Sequence, residues 1–244
     1  MRIDINCDLG EGIENEHLLM PLISSCNIAC GGHFGDEFSI DKTIQLAIEN
    51  NVKIGAHPSF PDFENFGRKK IDISMVDLIK SIQFQMNLLL SRLLKFNQKL
   101  HHIKPHGALY NEIAKDSELA KTFFKAIHPF LKNVYLYVPY NSVIEHIAIK
   151  NKVPIKYEVF ADRNYNDSYS LVSRAHKNAL INKKEAVLQH IVNIVKSNEV
   201  KTISQESLPI KADTFCIHGD SENAYQILKY LNKELPKNQV FIDR

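Results

Sequence analysis

The hydrophobic and polar positions along the chain form two alternating types of segment. Short apolar runs bounded by turn residues alternate with longer stretches in which apolar residues recur three and four positions apart. The short runs are typical of β-strands and the longer stretches of amphipathic helices. Repeated strand and helix segments of this kind predict an α/β protein with a parallel sheet. The predicted strands span residues 2–8, 25–31, 52–58, 101–106, 134–139, 154–161 and 214–218, and a weaker one spans residues 200–204.

Side chains that can cap a helix stand near the start of several predicted helices. Their oxygens would accept hydrogen bonds from the free backbone N–H groups of the first turn. Ser39 and Asp41 are the expected caps of the first helix. Ser74 with Asp77 is expected to cap the second helix, and Ser221 the last. The predicted helices span residues 39–50, 74–96, 118–127, 183–196 and 221–232.

The order of these segments fits either a closed barrel or an open doubly wound sheet. Almost every predicted strand ends in a polar cluster, whereas an open sheet concentrates its ligand groups at one switch point. This difference favours a barrel. No glycine- and serine-rich linker or low-complexity segment interrupts the chain, so we expect a single (β/α) barrel domain over residues 1–244.

Composition and charge narrow the classes of function. Hydrophobic residues make up 44% and charged residues 24% of the chain, the balance of an ordinary folded protein. The formal net charge is +2 with both signs mixed, which does not indicate binding to nucleic acid or to an anionic membrane. The N-terminal residues lack the apolar core of a signal peptide, and no apolar run approaches the roughly 18 residues of a membrane span. We therefore expect a cytoplasmic protein.

The four cysteines lie inside apolar, strand-like segments. The interval between Cys26 and Cys30 is not the two-residue gap of a zinc knuckle. We therefore expect Cys7, Cys26, Cys30 and Cys216 to be buried thiols.

Two carboxylates and two glycines stand at the end of the first predicted strand and in the loop after it, within residues 6–12. Asp8 ends the strand, and Glu11 comes three residues later. Carboxylates this close together favour a cation or a hydrogen-bond donor between them. The alternative is a strand-ending turn, in which Asp8 accepts hydrogen bonds from backbone amides and the glycines supply positive φ.

Histidines stand at the ends of the next three predicted strands. His33 is followed by Asp36, which suits metal binding or an imidazole oriented by a carboxylate. His57 precedes a proline that would fix the direction of its ring. Lys104 and His106 share one face of their strand, and a buried lysine requires a partner charge. In the alternative interpretation, His33 is a solvated loop residue and His57 a hydrogen-bonded residue of the core.

Charged residues also follow two later strands. Glu158, Asp162 and Arg163 stand at the end of one, and His218 with Asp220 at the end of the other. Glu158 and Arg163 could form a structural ion pair, and Asp220 could cap the last helix. Ionisable groups at six strand ends nevertheless favour one shared pocket over six unrelated local roles.

Seven of these segments resemble, in order and spacing, the LamB/YcsF family. The resemblance covers nearly the whole chain, and seven motifs in one order are far more specific than any of them alone. It implies an irregular seven-stranded (β/α) barrel akin to the glycoside hydrolase/deacetylase superfamily. The segments are residues 7–12, 27–36, 55–58, 66–68, 104–110, 160–165 and 218–220.

The resemblance also implies a reaction and its partners. It implies one subunit of an ATP-dependent 5-oxoprolinase, which opens 5-oxo-L-proline to L-glutamate while hydrolysing ATP to ADP and phosphate together with two partner subunits. Phosphorylation of the carbonyl oxygen would activate a lactam that is otherwise a poor electrophile, and water would then attack. ATP is the expected cosubstrate, and a divalent metal ion is a candidate cofactor.

Such a reaction requires groups that stabilise a developing oxyanion, bind phosphate charge and activate water. Following the resemblance, we expect the catalytic residues to be Asp8, His33, His57, Lys104 and His106, of which Asp8 and the three histidines are also the candidate metal ligands. Lys104 suits phosphate or the substrate carboxylate as a point charge, and Arg163 as a bidentate fork. The residues expected to bind or orient the substrate or its phosphate are Asn6, Glu11, Asn27, Asp36, Arg68, Tyr110, Glu158, Asp162, Arg163, His218 and Asp220.

Two other functions fit the same residues. Three strand-end histidines with Asp8 would suit a metal-dependent deacetylase of an amide or N-acetyl sugar substrate. The sequence lacks a P-loop, so the chain could also be a non-catalytic scaffold whose partners carry the chemistry. Metal content and activity without ATP would distinguish the deacetylase from the 5-oxoprolinase.

Overall fold

The computed structural model describes residues 1–221 and 223–243, in which seven parallel strands close into a barrel. Six strands follow one another round the barrel, and a strand near the C-terminus pairs with both the sixth and the first. This confirms the irregular seven-stranded (β/α) barrel, whose fourth strand has only two residues. The strands of the described residues are β1 (Arg2–Leu9), β2 (Ser25–Ala29), β3 (Lys53–His57), β4 (His102–Ile103), β5 (Tyr135–Pro139), β6 (Ile155–Phe160), β7 (Glu199–Lys201), β8 (Ser207–Pro209), β9 (Thr214–Ile217) and β10 (Phe241–Ile242).

Three of these strands lie outside the closed barrel. β7 corresponds to the weaker predicted strand and pairs antiparallel with β8 in a separate two-stranded sheet. β10 pairs parallel with the first residues of β1. The barrel itself therefore consists of β1 to β6 and β9.

Among the described residues, all five predicted helices are present, together with three further α-helices that were not predicted. α1, α4 and α6 are short, at 4, 7 and 8 residues, so each offers few turns in which a helical period can be recognised. No helix in residues 1–221 and 223–243 combines the length and apolarity needed to cross a membrane. The helices are α1 (Glu16–Leu19), α2 (Glu37–Glu49), α3 (Met75–Lys95), α4 (Gly107–Ile113), α5 (Ser117–Ile127), α6 (Val143–Lys150), α7 (Lys184–Ser197) and α8 (Ala224–Glu234).

The helix caps agree with the sequence at one of three predicted positions. Ser74 caps α3 as expected, with its Oγ accepting from the backbone N–H of Asp77 at 3.1 Å. The prediction for Ser221 is wrong, because α8 begins at residue 224, directly after Asn223, whose side chain makes no cap hydrogen bond. Part of that predicted helix, residue 222, lies outside the described residues.

The predicted caps of α2 are also wrong, because the helix begins two residues earlier than its hydrophobic pattern indicates. Asp36 is the cap: its Oδ1 accepts from the backbone N–H of Ser39 at 2.8 Å, and Ser39 Oγ accepts from the backbone N–H of Asp36 at 2.9 Å. This reciprocal pair is a capping box. Asp41 instead accepts a hydrogen bond from Arg92 of α3 at 2.7 Å.

Polar side chains fill the interior of the barrel. In β1, the polar residues Asp4, Asn6 and Asp8 alternate with apolar neighbours, so the two sets point to opposite faces of the strand. The apolar set belongs to the hydrophobic core, whereas the polar set contacts residues of other barrel strands. Further polar residues buried in the interior are Ser25, Asn27, His102, Lys104, Tyr137, Glu158 and Thr214.

Hydrogen bonds connect these interior residues across the barrel. His102 Nε2 donates to Asn27 Oδ1 at 2.6 Å, and Asn27 Nδ2 donates to Asn6 Oδ1 at 2.8 Å. Asn6 Nδ2 donates to Thr214 Oγ1 at 2.8 Å, and this hydroxyl donates to Asp4 Oδ1 at 2.6 Å. Because polar groups tolerate burial only when they are paired, this chain of bonds fixes the relative positions of the strands beneath the carboxyl-end loops.

Replacing Gly55 by alanine is expected to lower the free energy of unfolding by about 1–3 kcal/mol, as overpacking does in a filled core. A Cβ atom at this position would lie 2.1 Å from Nε2 of His102 and would push the ring away from Asn27. Urea unfolding followed by circular dichroism measures the loss. In a His102→Ala background the added methyl group has room, so equal losses in both backgrounds would contradict the clash.

The four cysteines are buried free thiols, as the sequence predicts. They are Cys7, Cys26, Cys30 and Cys216. Burial raises the pKa of each thiol, which keeps all four protonated at neutral pH.

Candidate active site

A cavity of about 560 Å³ opens at the carboxyl ends of the barrel strands. The loops that follow β1, β3, β4, β5, β6 and β9 all contribute to its walls. This is the end at which (β/α) barrels carry their functional groups. Of the residues predicted from the sequence, those that line the cavity are Asp8, Glu11, His57, Arg68, Lys104, His106, Tyr110, Glu158, Arg163, His218 and Asp220.

Four predicted site residues lie behind the cavity wall and contact residues that line it. Asn6 donates to Glu158 at 3.0 Å, and Asn27 donates to Asp8 at 2.8 Å, from within the barrel. His33 is fully buried, and Asp162 is buried beside His218. Their geometry therefore gives Asn6 and Asn27 a supporting place beneath the site, in contact with Glu158 and Asp8.

Asp36 lies away from the cavity. Its exposed side chain caps α2, and the carboxylate accepts a hydrogen bond from the first turn of the helix. The prediction that Asp36 binds substrate or phosphate is therefore corrected. The sequence places Asp36 three residues from His33, but the turn through Gly35, with φ of 101°, directs the two side chains to different surroundings.

Lys104, Asp8 and Glu158 form a buried charge network that lines the cavity. The Lys104 ammonium lies 2.6 Å from Asp8 Oδ1 and 3.2 Å from Glu158 Oε1. Its Nζ also lies 3.1 Å from Cys216 Sγ and 5.2 Å from the centre of the Phe160 ring. Glu158 thus pairs with Lys104, and the ion pair with Arg163 considered from the sequence does not form.

The protonation states within this network follow from burial and mutual attraction. Burial would lower the pKa of Lys104, but the carboxylates of Asp8 and Glu158 hold it well above its ordinary value, so the amine stays charged. Burial would raise the pKa of Asp8, but His57 and Lys104 hold it well below its ordinary value. Burial raises the pKa of Glu158, against the opposing effect of Lys104. One cation therefore holds two carboxyl groups, of which Glu158 is the easier to protonate.

Glu11 and three histidines form a second buried group, called here the Glu/His cluster. His33 follows β2, His57 ends β3 and His106 follows β4, and one ligand atom from each of the four residues lies within 4.8 Å of the others. Glu11 Oε1 is 2.9 Å from His33 Nε2, 3.4 Å from His106 Nδ1 and 3.8 Å from His57 Nε2. The His33 and His106 rings stack with their centres 3.7 Å apart. The cluster could hold a metal ion.

Backbone carbonyls fix the tautomers of two cluster histidines. His57 Nδ1 lies 2.8 Å from the carbonyl oxygen of Lys104, and His106 Nε2 lies 2.9 Å from that of Phe66. A carbonyl oxygen only accepts, so these nitrogens carry the protons and the opposite nitrogens present lone pairs. Those opposite nitrogens, His57 Nε2 and His106 Nδ1, face each other at 2.9 Å. Two lone pairs at this separation repel, so the arrangement requires a proton or a cation between them.

A divalent ion fits the Glu/His cluster. Four ligands about 2.1 Å from one tetrahedral ion lie roughly 3.4 Å from one another, close to the separations from Glu11 Oε1. Imidazole nitrogens with one carboxylate are ligands that zinc binds readily. Glu11 joins the three histidines in this cluster, whereas Lys104 and Asn27 already occupy Oδ1 of Asp8, the carboxylate that the sequence offered as a ligand. Asp8 Oδ2 stays beside the cluster, 3.3 Å from His57 Nε2.

Burial also sets the charge of the cluster. It raises the pKa of Glu11 to about 7, with the Asp8 carboxylate as the next cause. It lowers the pKa of His33 to about 3, and together with the neighbouring histidines lowers the pKa of His106 well below its ordinary value. Both rings are therefore neutral at neutral pH, the form in which imidazole binds a metal.

Two arginines predicted to contact substrate make contacts within the protein. Arg163 Nη2 donates to the carbonyl of Val172 at 2.7 Å, and Nε donates to that of Ala179 at 3.3 Å. These bonds hold the loop after β6 that forms one wall of the cavity, and they use two of the five N–H donors of Arg163. Arg68 forms an ion pair with Asp220, joining the loops after β3 and β9.

The amino-acid sequence matches the model of the LamB/YcsF family over residues 3–244. The chain belongs to the LamB/YcsF family. It is 37% identical over 241 residues to the A-type subunit of 5-oxoprolinase from Haemophilus influenzae, covering 99% of this chain and 98% of that protein. It is 38% identical over 247 residues to the A-type subunit of 5-oxoprolinase from Staphylococcus aureus, covering 99% of both. The crystal structure of the lactam utilization protein from Thermus thermophilus superposes with a TM-score of 0.92 at 31% identity, over 99% of both chains.

Some residues that support the site in this LamB/YcsF chain were not predicted from its sequence. His102 holds Asn27 from β4, Tyr137 stacks on His102 with ring centres 4.0 Å apart, and Thr214 holds Asn6 from β9. The available signal was spacing. His102 stands two residues before Lys104, so both side chains face the barrel interior. His102 was missed because only residues at the strand ends were considered.

Proposed function

We propose that this chain is the A-type subunit of an ATP-dependent 5-oxoprolinase that works in the cytoplasm with two partner subunits. The complex would open 5-oxo-L-proline to L-glutamate and hydrolyse ATP to ADP and phosphate. The observation that carries the proposal is the cavity, which places a buried ammonium, buried carboxyl groups and imidazoles of neighbouring strands against one space. The name shared by relatives that match over their full length supports this choice of reaction.

The charge network suits the opening of an activated lactam. Phosphorylation of the carbonyl oxygen would increase negative charge beside the carbon that water attacks, and a buried cation stabilises such charge strongly. Lys104 is the cation placed for this role, or for the substrate carboxylate. Asp8 holds the Lys104 ammonium at 2.6 Å, and its other oxygen, 3.3 Å from His57 Nε2, would accept a proton from the attacking water.

A divalent ion in the Glu/His cluster is the second part of the proposal. Glu11, His33, His57 and His106 would hold it, and when bound it would supply Lewis-acid polarisation. Metal-binding histidines usually donate their other ring N–H to a carbonyl or carboxylate, and the carbonyls of Lys104 and Phe66 accept from His57 and His106 in this way.

Reconstitution tests the proposed reaction. The purified chain is mixed with its two partner subunits, 5-oxo-L-proline and ATP, and glutamate and phosphate are measured over time. Both products are expected in equal amounts, and omission of this chain should abolish glutamate formation. A His146→Ala variant, altered on the exposed face of α6, should match the wild type. Absence of coupled release from the complete set would end the proposal.

The Glu/His cluster also supports a second candidate function, a metal-dependent deacetylase of an amide or N-acetyl sugar. This alternative predicts acetate release by the metal-loaded chain alone, without ATP. A non-catalytic scaffold is the less favoured function. Burying a carboxyl group that lacks its own neutralising cation lowers the stability of the fold, and a scaffold would gain nothing from that loss. Acetate and glutamate assays on the same preparation distinguish the three functions.

A further inference from the structure

Asp162 and His218 form a rigid pair on the cavity wall formed by β6 and β9. β6 and β9 are parallel neighbours, with Phe160 aligned to Cys216, so the residues two positions further along stand opposite each other. Asp162 follows β6 and His218 follows β9 in this register. Neither residue belongs to the Glu/His cluster or to the charge network around Lys104.

The contacts of His218 fix both the direction and the tautomer of its ring. His218 Nδ1 lies 2.9 and 3.0 Å from the two carboxylate oxygens of Asp162, and the backbone N–H of His218 donates to the same carboxylate at 3.0 Å. The Phe160 ring stacks on the imidazole with centres 5.2 Å apart. Burial would raise the pKa of Asp162, but His218 and its backbone amide hold it below its ordinary value, so the carboxylate is ionised.

The second ring nitrogen of His218 is left for a ligand. Nδ1 carries the proton that Asp162 accepts, and Nε2 has no hydrogen-bond partner within residues 1–221 and 223–243. His218 lines the cavity, whereas Asp162 stands behind it. An imidazole held by a carboxylate and open on its other nitrogen can carry a proton on Nε2, because the carboxylate stabilises the charged ring.

We infer that His218 donates the proton that the ring nitrogen of the lactam takes up as it leaves, and that Asp162 is the positioning residue for this transfer. The inference rests on the proposed function. When the C–N bond breaks, its electron pair stays on nitrogen, and the proton on His218 Nε2 moves to that nitrogen. The hydroxyl of the attacking water bonds to the carbonyl carbon, Asp8 accepts the proton released from this water, and His218 regains its proton from solvent. The carbonyl carbon keeps the phosphoryl group as an acyl phosphate, which a second water hydrolyses to the carboxylate and phosphate. An amine is a poor leaving group without this proton.

The first test compares two substrates that differ only in the leaving atom. The reconstituted complex is given 5-oxo-L-proline or its ring-oxygen analogue, a lactone whose alkoxide leaves with less need of a proton. His218→Gln is expected to lower kcat for the lactam by about 10²–10⁴-fold and kcat for the lactone by less than about tenfold. Equal losses on both substrates would overturn the inference.

A second measurement uses the natural substrate alone. Loss of the proton donor makes C–N cleavage slower than the other steps, so the nitrogen-15 isotope effect on kcat/KM should rise in His218→Gln. An isotope effect equal to that of the wild type would overturn the inference even if the lactone is not turned over. Asp162→Asn removes the charge that stabilises the protonated ring, so it should raise the nitrogen-15 isotope effect by a smaller amount.

Controls separate this inference from folding and from the proposed function. The Kd of 5-oxo-L-proline, measured by calorimetry on the complex, is expected to stay within about threefold of wild type in His218→Gln, because the variant loses a proton rather than the cavity. His146→Gln, altered on the exposed face of α6, should behave as wild type. If the wild-type complex releases no glutamate, the proposed function fails; if it does and His218→Gln is equally active, only the inference fails.

Discussion

Replacing Lys104 by methionine is expected to abolish glutamate formation and to lower the free energy of unfolding by about 3–5 kcal/mol. Methionine fills a similar volume but leaves Asp8 and Glu158 facing each other without their shared cation. The carboxylates would then have to protonate or attract solvent into a buried space. Urea unfolding measures the stability, and the reconstituted complex measures turnover.

Two comparisons show whether charge is the cause. Lys115→Met removes a lysine with a 69% exposed side chain, whose ion pair with Glu112 contributes at most about 1 kcal/mol. Combining Lys104→Met with Asp8→Asn removes one of the stranded charges, so the double variant should be more stable than Lys104→Met alone. A double variant no more stable than the single one would contradict the buried charge network.

The second large effect concerns metal affinity. The wild-type chain, stripped with a chelator and titrated with zinc, is expected to bind one ion per molecule through the Glu/His cluster. His57→Ala removes one ligand and should weaken binding by about 100-fold or more, since even loss of an outer-sphere partner typically costs 10–100-fold. Calorimetry and metal analysis after gel filtration measure the affinity and the stoichiometry, without reference to turnover.

The matched control for this prediction is His146→Ala, which removes an exposed histidine from α6. It should bind zinc as the wild type does. Glu11→Gln keeps the size of the side chain while removing its charge, and should weaken binding as His57→Ala does. Binding by His57→Ala with wild-type affinity, or no binding by the wild type, would show that the cluster is not a zinc site.

The fold could be predicted from the sequence because the hydrophobic periodicity of a strand or a helix is a local property. The alternation of apolar runs and amphipathic stretches predicted all seven barrel strands, and polar strand ends favoured the barrel over an open sheet. Strand length was less accessible. β4 was predicted over residues 101–106 but covers only His102–Ile103, because Pro105 has no N–H for a ladder and the chain turns into α4.

The residues of the site could be predicted from the sequence, but the contacts among them could not. The sequence indicates that Asp8 and Glu11 follow the same strand, and it does not reveal which of them reaches the histidines. Gly10 and Gly12, with φ of 75° and 80°, bend the loop so that Glu11 returns over the barrel end. Asp8 stays at the strand end, where Lys104, just beyond β4, holds it. Such long-range pairings depend on loop conformation, which the periodic pattern of hydrophobic residues does not predict.

The polar filling of the barrel means that the residues beneath the site also hold the fold together. A substitution that disturbs Asn6, Asn27 or His102 would change the folding equilibrium as well as any rate constant. In a living cell, proteases and chaperones would remove part of such a variant before it met its substrate. Growth assays would then show a larger loss of function than activity assays per molecule in vitro. The difference between these two losses would measure how much of the defect comes from lower protein abundance.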